Sequence, residues 1–180
     1  RGRKGIAELL LKAGADVNTK YNGTPVVHLA APEMLALLLA HKPDLENTDA
    51  VGYTAVQRLV MSRFEGRPEI LQMLLKAGAN PDKPFAVPDN TSPENRYVNF
   101  QIQGSHFDIN GNIPLIVVCR MMVSDSSSGR GSVPMIEALL AGGANVNAKS
   151  TEGKTPLLYA VEAGSLPMVE AILAHKPDLE

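Results

Sequence analysis

Apolar and polar positions follow one pattern that recurs five times along this chain. Leucine-type residues lie on adjacent helical turns, and a sharp bend and a short polar tip come after them. The apolar spacing predicts a helix with one buried face. A recurrence of about 33 residues is typical of stacked-repeat proteins. The five segments are residues 10–18, 38–46, 74–82, 139–147 and 172–180.

A second signal lies between these segments: a glycine that is followed within three residues by Thr or Pro. Gly153, Thr155 and Pro156 show it most fully. Glycine supplies a turn, threonine caps a helix, and proline suits the first helical position. We expect a helix of about ten residues after each signal, then a second helix. The second helices are predicted at 6–12, 33–40, 68–76, 134–141 and 167–174, with left-handed caps at Gly14, Gly78 and Gly143.

Residues 155–160 read Thr-Pro-Leu-Leu-Tyr-Ala and resemble the Thr-Pro-Leu-His-x-Ala signature of the ankyrin repeat family. The resemblance covers most of the chain and implies an all-α solenoid of helix–turn–helix units with β-hairpin loops. The family's signature histidine braces neighbouring loops. Val27, Gln57, Ile116 and Leu158 stand in its place, so the resemblance implies weaker bracing or bracing by other means.

The expected organisation is a single ankyrin-repeat array over residues 1–180. The chain opens within a second helix and stops at a hairpin, so we expect a fragment of a longer array or of a multidomain protein. The parts are a partial repeat at 1–22, repeats at 23–51, 52–83, 111–152 and 153–180, an inserted β-finger at 84–110 and an inserted serine-rich loop at 124–132.

The long insertion holds four of the eight aromatic residues, counted as four Tyr, four Phe and no Trp. Val98, Phe100 and Ile102 alternate with polar residues, which predicts a strand. We picture a finger in which residues 85–87 pair with 105–109. Its aromatics, Tyr97 and Phe100 among them, either pack onto the solenoid or anchor a partner. A hidden degenerate repeat is disfavoured because three prolines would break its helices.

In ankyrin arrays partners usually lie on the hairpin tips and on the exposed face of the first helices. By position, the resemblance implies a partner-binding surface with an apolar stripe in the middle repeats. The alternative is that its methionines are buried under the insertions. With the two finger aromatics, the candidate binding residues are Tyr21, Val51, Tyr53, Met61, Ser62, Tyr97, Phe100, Asn110, Asn112, Arg120, Met121, Thr151, Glu152, Lys154 and Glu162.

Composition narrows the range of functions. A formal net charge of −2 argues against a broad nucleic-acid interface, and no apolar run is long enough to insert into a membrane. The single cysteine, Cys119, forms no internal disulfide and is expected to be an inert core residue, which fits an intracellular, cytoplasmic setting. The histidines lack metal-site spacing, so we expect no metal, no cofactor and no catalytic residue.

The sequence therefore predicts a monomeric, non-catalytic module that binds a protein partner. The alternatives are a substrate-recruiting arm of a larger multidomain enzyme or a pathogen effector delivered into a host cell. A polyanion-binding adaptor and an unoccupied structural spacer also stay open.

Overall fold

The computed structural model describes residues 2–61, 67–86, 109–124 and 132–179, and within these ranges the chain forms helices joined by tight turns. One short antiparallel hairpin, β1 (Lys20–Tyr21) with β2 (Thr24–Pro25), places Lys20 opposite Pro25. The helices are α1 (Gly2–Lys12), α2 (Val26–Leu29), α3 (Pro32–Ala40), α4 (Ala55–Met61), α5 (Pro68–Lys76), α6 (Pro114–Ser124), α7 (Ser132–Ala141), α8 (Pro156–Glu162) and α9 (Leu166–Leu173).

The helices stack in two layers. The first helices α2, α4, α6 and α8 each contact the next member of their layer. The second helices α1, α3, α5, α7 and α9 do the same. The core lies where the layers meet, and its fully buried members include Leu35, Leu71, Leu74, Ile136 and Leu139. The predicted all-α solenoid of stacked helix pairs is therefore confirmed.

Each second helix ends in a residue with left-handed backbone geometry. Gly14, Gly78 and Gly143 have φ of 91°, 100° and 89°, as the sequence predicts. Lys42 and Lys176 take the same role with φ of 51° and 52°, each just before a proline. A residue before proline avoids the right-handed helical region, so the helix stops without glycine.

The first helices differ in length, so the expectation of about ten residues for each is wrong in part. Helix α6 has 11 residues, α4 and α8 have 7 each, and α2 has only 4. Ala31, with φ −66° and ψ 159°, is extended, and Pro32 then opens α3. Pro32, two residues after the C-cap residue Ala30, therefore ends α2 early.

The polar turns that follow the second helices are joined from one repeat to the next by a ladder of hydrogen bonds. The last residue of each of the first four recurring segments accepts a hydrogen bond, through a side-chain oxygen, from a backbone N–H of the next segment. These bonds fix the register between successive repeats. Asn18 accepts from Asp44 at 2.8 Å, Glu46 from Asn80 at 3.0 Å, Asp82 from Asn145 at 3.0 Å, and Asn147 from Asp178 at 2.8 Å.

Candidate protein-binding surface

Ion pairs place the tip at residues 150–154 and the first helices α6 and α8 on one side of the molecule. Arg120 on α6 contacts Glu152 on a tip at 2.7 Å, and Lys154 contacts Glu162 on α8 at 2.6 Å. The side-chain hydrogen bond to Glu162 raises the pKa of Lys154. Because each pair joins a tip to a first helix, the two kinds of element form one continuous surface, here called the tip-and-helix surface.

The tip at residues 49–53 is held by a buried carboxylate. Asp49 accepts hydrogen bonds from the Val51 and Tyr53 N–H groups, both at 3.0 Å. Arg58 on α4 donates to its other oxygen at 2.7 Å, and the Asp49 side chain is 1% exposed. A buried carboxylate with these partners fixes the backbone that carries Val51.

The tip at residues 150–154 uses a hydroxyl in the same place. Ser150 Oγ accepts from the Glu152 and Lys154 N–H groups at 3.2 and 3.0 Å. Asn112 joins this tip to the preceding one, since its Oδ1 accepts from the Thr151 N–H at 3.1 Å. The tips are therefore cross-linked to each other as well as braced from within.

Most of the predicted binding residues have side chains that are exposed or half-buried. The apolar members of this set are Tyr21, Val51, Met61 and Met121, here called the apolar part, of which Tyr21 is exposed and the others are half-buried. A charged part is formed by Arg120, Glu152, Lys154 and Glu162, and exposed Thr151 and Asn110 lie on the tips beside it.

Tyr53 and Asn112 do not lie where the sequence placed them. Tyr53 is 5% exposed and Asn112 is 2% exposed. The Tyr53 ring meets the ring of Phe85 edge-on, with centroids 5.4 Å apart and an interplanar angle of 78°. Burial raises the pKa of Tyr53 to about 12. Both residues support the tips from beneath, and their expected exposure to a partner is corrected.

Ser62, Tyr97 and Phe100 lie outside the described residues, as do most of the expected finger and most of the serine-rich loop. The two described ends of the long insertion are anchored, because Phe85 and Ile109 are both buried. Phe85 exchanges backbone hydrogen bonds with Gly111 and Asn112 at 2.8 and 2.9 Å. For Phe85 this corrects the expected pairing with residues 105–109.

The bracing assigned to the signature histidine is made here by other residues. Gln57, at that position, donates from Nε2 to the Lys83 and Pro84 carbonyl oxygens at 3.0 Å each, and its Oε1 accepts from the Thr54 N–H. One position after Val27, His28 Nε2 faces the Asn47 carbonyl oxygen at 3.1 Å. The Thr-x-x-Gln capping pattern was a signal for Gln57 that the sequence analysis missed.

The described residues contain no group of three or more His, Cys, Asp or Glu placed to hold a metal ion. Cys119 is fully buried, and burial raises its thiol pKa, which keeps it protonated. None of the helices in this part of the chain is long and apolar enough to span a membrane.

Comparisons with known proteins agree with this architecture. Residues 92–180 match the family model described as ankyrin repeats (3 copies). A stretch of 87 residues, 45% of this chain, is 39% identical to the ankyrin repeat protein nuc-2 of Neurospora crassa. The chain spans only 8% of that relative's length.

A solved structure shares the fold over nearly the whole chain. The crystal structure of an ankyrin repeat domain from Acinetobacter baumannii AYE aligns with a TM-score of 0.65 and 23% identity. The alignment covers 97% of this chain and 76% of the bacterial one. Fold and surface together define a repeat protein of the solenoid class. The chain is an ankyrin-repeat array, as its signature residues predicted, and ankyrin repeats are general protein–protein interaction modules.

Proposed function

We propose that this array is a non-catalytic recognition module that binds one protein partner across the tip-and-helix surface. The observation that carries the proposal is the bracing of the tips by Asp49, Ser150 and Asn112. Backbone that is already fixed loses little conformational entropy on binding, so more of the contact energy appears as affinity.

The two parts of the surface suggest the chemistry of the partner. Tyr21, Val51, Met61 and Met121 offer apolar area that a partner's aliphatic or aromatic side chains would bury. Methionine adapts its shape readily, which suits such a contact. The ion pairs of Arg120 with Glu152 and of Lys154 with Glu162 lie beside it and would set orientation.

Site-specific photocrosslinking tests the placement of the surface. A photoreactive side chain at Val51 or at Glu152 should crosslink to the same protein in a cell extract. The matched control is Glu137, which is exposed on second helix α7. Equal crosslinking from Glu137 to that protein, or none from either surface position, contradicts the proposal.

Affinity measurements with the crosslinked partner give a second test. Val51→Glu should weaken binding about tenfold or more, because it puts a charge into the apolar part. Leu9→Glu, on exposed α1 of the second-helix layer, should leave affinity unchanged. Thermal unfolding of both variants checks that the fold survives. An unchanged dissociation constant for Val51→Glu would remove the apolar part from the proposed contact.

A second candidate is that the array recruits substrates or partners for a larger multidomain protein. The Neurospora relative supports it, because the aligned stretch is 8% of that protein. The same surface would serve in that setting, and activity would come from elsewhere in the polypeptide. If the array is supplied as a separate chain and held to the rest of its natural polypeptide by a tether, the activity of that polypeptide on the crosslinked partner should then be restored.

A further inference from the structure

A cleft lies at the truncated end of α2, between α2, α4 and α5. Helix α2 stops at Leu29 after 4 residues, whereas α4 and α8 have 7 each. Ala30 follows with extended backbone, at φ −77° and ψ 131°. The chain therefore leaves the first-helix layer about one helical turn early, and a cleft of about 280 Å³ lies at that place.

The cleft is apolar inside and cationic at its entrance. The buried side chains that line it include Val27, Ile70 and Leu74, which form its floor. Two exposed residues of the lining, Arg58 and Arg67, lie at its mouth. A ligand with an apolar tail and a negatively charged head would match both parts.

The positive charge of the lining comes from the two arginines. The ten lining residues include no Asp or Glu, although the whole chain has a net charge of −2. Asp49 lies outside the lining and accepts one N–H of Arg58 at 2.7 Å, which holds that guanidinium in place. His28 also lines the cleft, but burial lowers its pKa, so its ring adds no charge near neutral pH.

We propose that this cleft binds an aliphatic carboxylate, with the alkyl group on the apolar floor and the carboxylate at Arg58 and Arg67. The planar guanidinium fork matches the geometry of a carboxylate. A carboxylate at the mouth keeps contact with water, so the cost of removing it from solvent is small.

The size of the cleft limits the ligand. Pockets for drug-sized molecules measure about 300–1,000 Å³, so this cleft suits a single aliphatic side chain with its carboxylate. Two sources present that chemistry. One is the carboxyl-terminal leucine, isoleucine or valine of a protein, and the other is a free short-chain acid.

This site is separate from the protein-binding surface proposed above. None of the lining residues is among the candidate binding residues. Loss of binding in the cleft would therefore leave crosslinking from Val51 and Glu152 unchanged, and the two proposals can fail independently.

Methyl NMR of the 180-residue protein tests the proposal with four probes. These are 4-methylpentanoate, an N-acetylated dipeptide that ends in leucine with a free carboxylate, and the uncharged amide of each. Both acids should shift the methyl signals of Leu29 and Ile70 in a saturable way. The amides should bind at least about tenfold more weakly, because they lack the charge that strengthens the hydrogen bonds to arginine. Tighter binding of the peptide acid supports a protein terminus as the natural ligand, and tighter binding of 4-methylpentanoate supports a free acid.

Two variants separate charge from shape. Arg67→Gln should weaken binding of the acids about fivefold or more. Ala30→Leu keeps both arginines but fills the cleft, so it should abolish the shifts at Ile70. The matched control is Lys12→Gln, which removes a positive charge from an exposed position on α1 and should leave affinity unchanged. Thermal unfolding checks that each variant is folded.

Three outcomes overturn the proposal. The first is the absence of a saturable shift at Ile70 with either acid up to about 20 mM, well above a dissociation constant of about 1 mM. The second is equal affinity for the acids and their amides. The third is a loss of affinity in Lys12→Gln as large as that in Arg67→Gln, which would mean general charge attraction rather than a site.

Discussion

The Asn145 N–H donates to both carboxylate oxygens of Asp82, at 3.0 and 3.1 Å, across 63 residues of sequence. Helix α5 also packs directly on α7. The hairpin at 74–82 is therefore followed in the stack by the hairpin at 139–147, and no position is left between them for another hairpin. The residues between these two segments supply α6 to the first-helix layer. The hydrogen-bond ladder passes directly from Asp82 to Asn145, as it does between repeats without an insertion.

Asp82→Ala should destabilise the array by about 1 kcal/mol, because the Asn145 N–H loses its acceptor on a partly exposed site. Asp82→Asn should be close to neutral, since Asn18 and Asn147 make the same contact elsewhere. Urea unfolding followed by circular dichroism measures both. Equal losses for the two variants would show that charge, rather than the hydrogen bond, matters at this rung.

Gln57→Glu should make stability depend on pH. The introduced carboxyl would still accept the Thr54 N–H, but it would face the Lys83 and Pro84 carbonyl oxygens without a hydrogen to donate. Burial and those oxygens should raise its folded-state pKa above the unfolded value of about 4.3. The variant should lose about 2–4 kcal/mol near neutral pH and recover stability as pH falls toward 4, because protonation restores a donor.

The control for this substitution is Gln72→Glu on the exposed side of α5. It adds the same charge without burying it, so it should change stability little at any pH. The comparison is made by denaturant unfolding at pH values from about 4 to about 7.5. If Gln57→Glu behaves like Gln72→Glu, the bridge from Gln57 to the long insertion does not brace the array.

His28 should make the array less stable in mild acid. Burial lowers its pKa below the usual 6.5, although nearby Asp49 acts in the opposite direction and Arg58 and Lys20 add to the lowering. The folded state therefore binds fewer protons than the unfolded state just below pH 6.5. Stability is complete above the unfolded pKa and declines as pH falls toward the folded one.

Substitution by glutamine isolates this contribution. His28→Gln retains a donor for the Asn47 carbonyl oxygen but cannot titrate. The stability difference between the parent and His28→Gln should therefore shift in favour of the variant between pH about 7.5 and about 5.5. A ring-proton NMR titration that places the His28 pKa at or above its usual value would contradict the expectation.

The repeat pattern made the helices predictable from the sequence. The contacts made by the long insertion could not be predicted in this way. Leucine spacing and Gly78 give the end of α5 because both act within one helix. Tyr53 appeared exposed because its position in the repeat belongs to a tip. Its burial depends on Phe85, which comes from the inserted segment and has no counterpart in the pattern. The residues of the hydrogen-bond ladder stand out in the repeated segments of the sequence. Their hydrogen-bond partners could not be read from it, because they lie one repeat away.

Gly142 is a position where the stack has no room for a methyl group. A Cβ there would lie 2.9 Å from the Leu75 Cβ and would also press on the rest of that side chain. Its backbone φ lies outside the left-handed region, so any loss in Gly142→Ala reflects packing of α5 against the end of α7. Overpacking of this kind costs about 1–3 kcal/mol.

Gly5 provides the matched control, because it lies inside α1 and a Cβ there would meet nothing within 4 Å. Gly5→Ala should stabilise the array by about 0.5–1 kcal/mol through helix propensity alone. Leu75→Ala combined with Gly142→Ala should lose less than the sum of the single changes, since the smaller side chain relieves the clash. Additive losses would mean that α5 and α7 separate enough to admit the methyl group, and that the close approach at Gly142 does not fix their spacing.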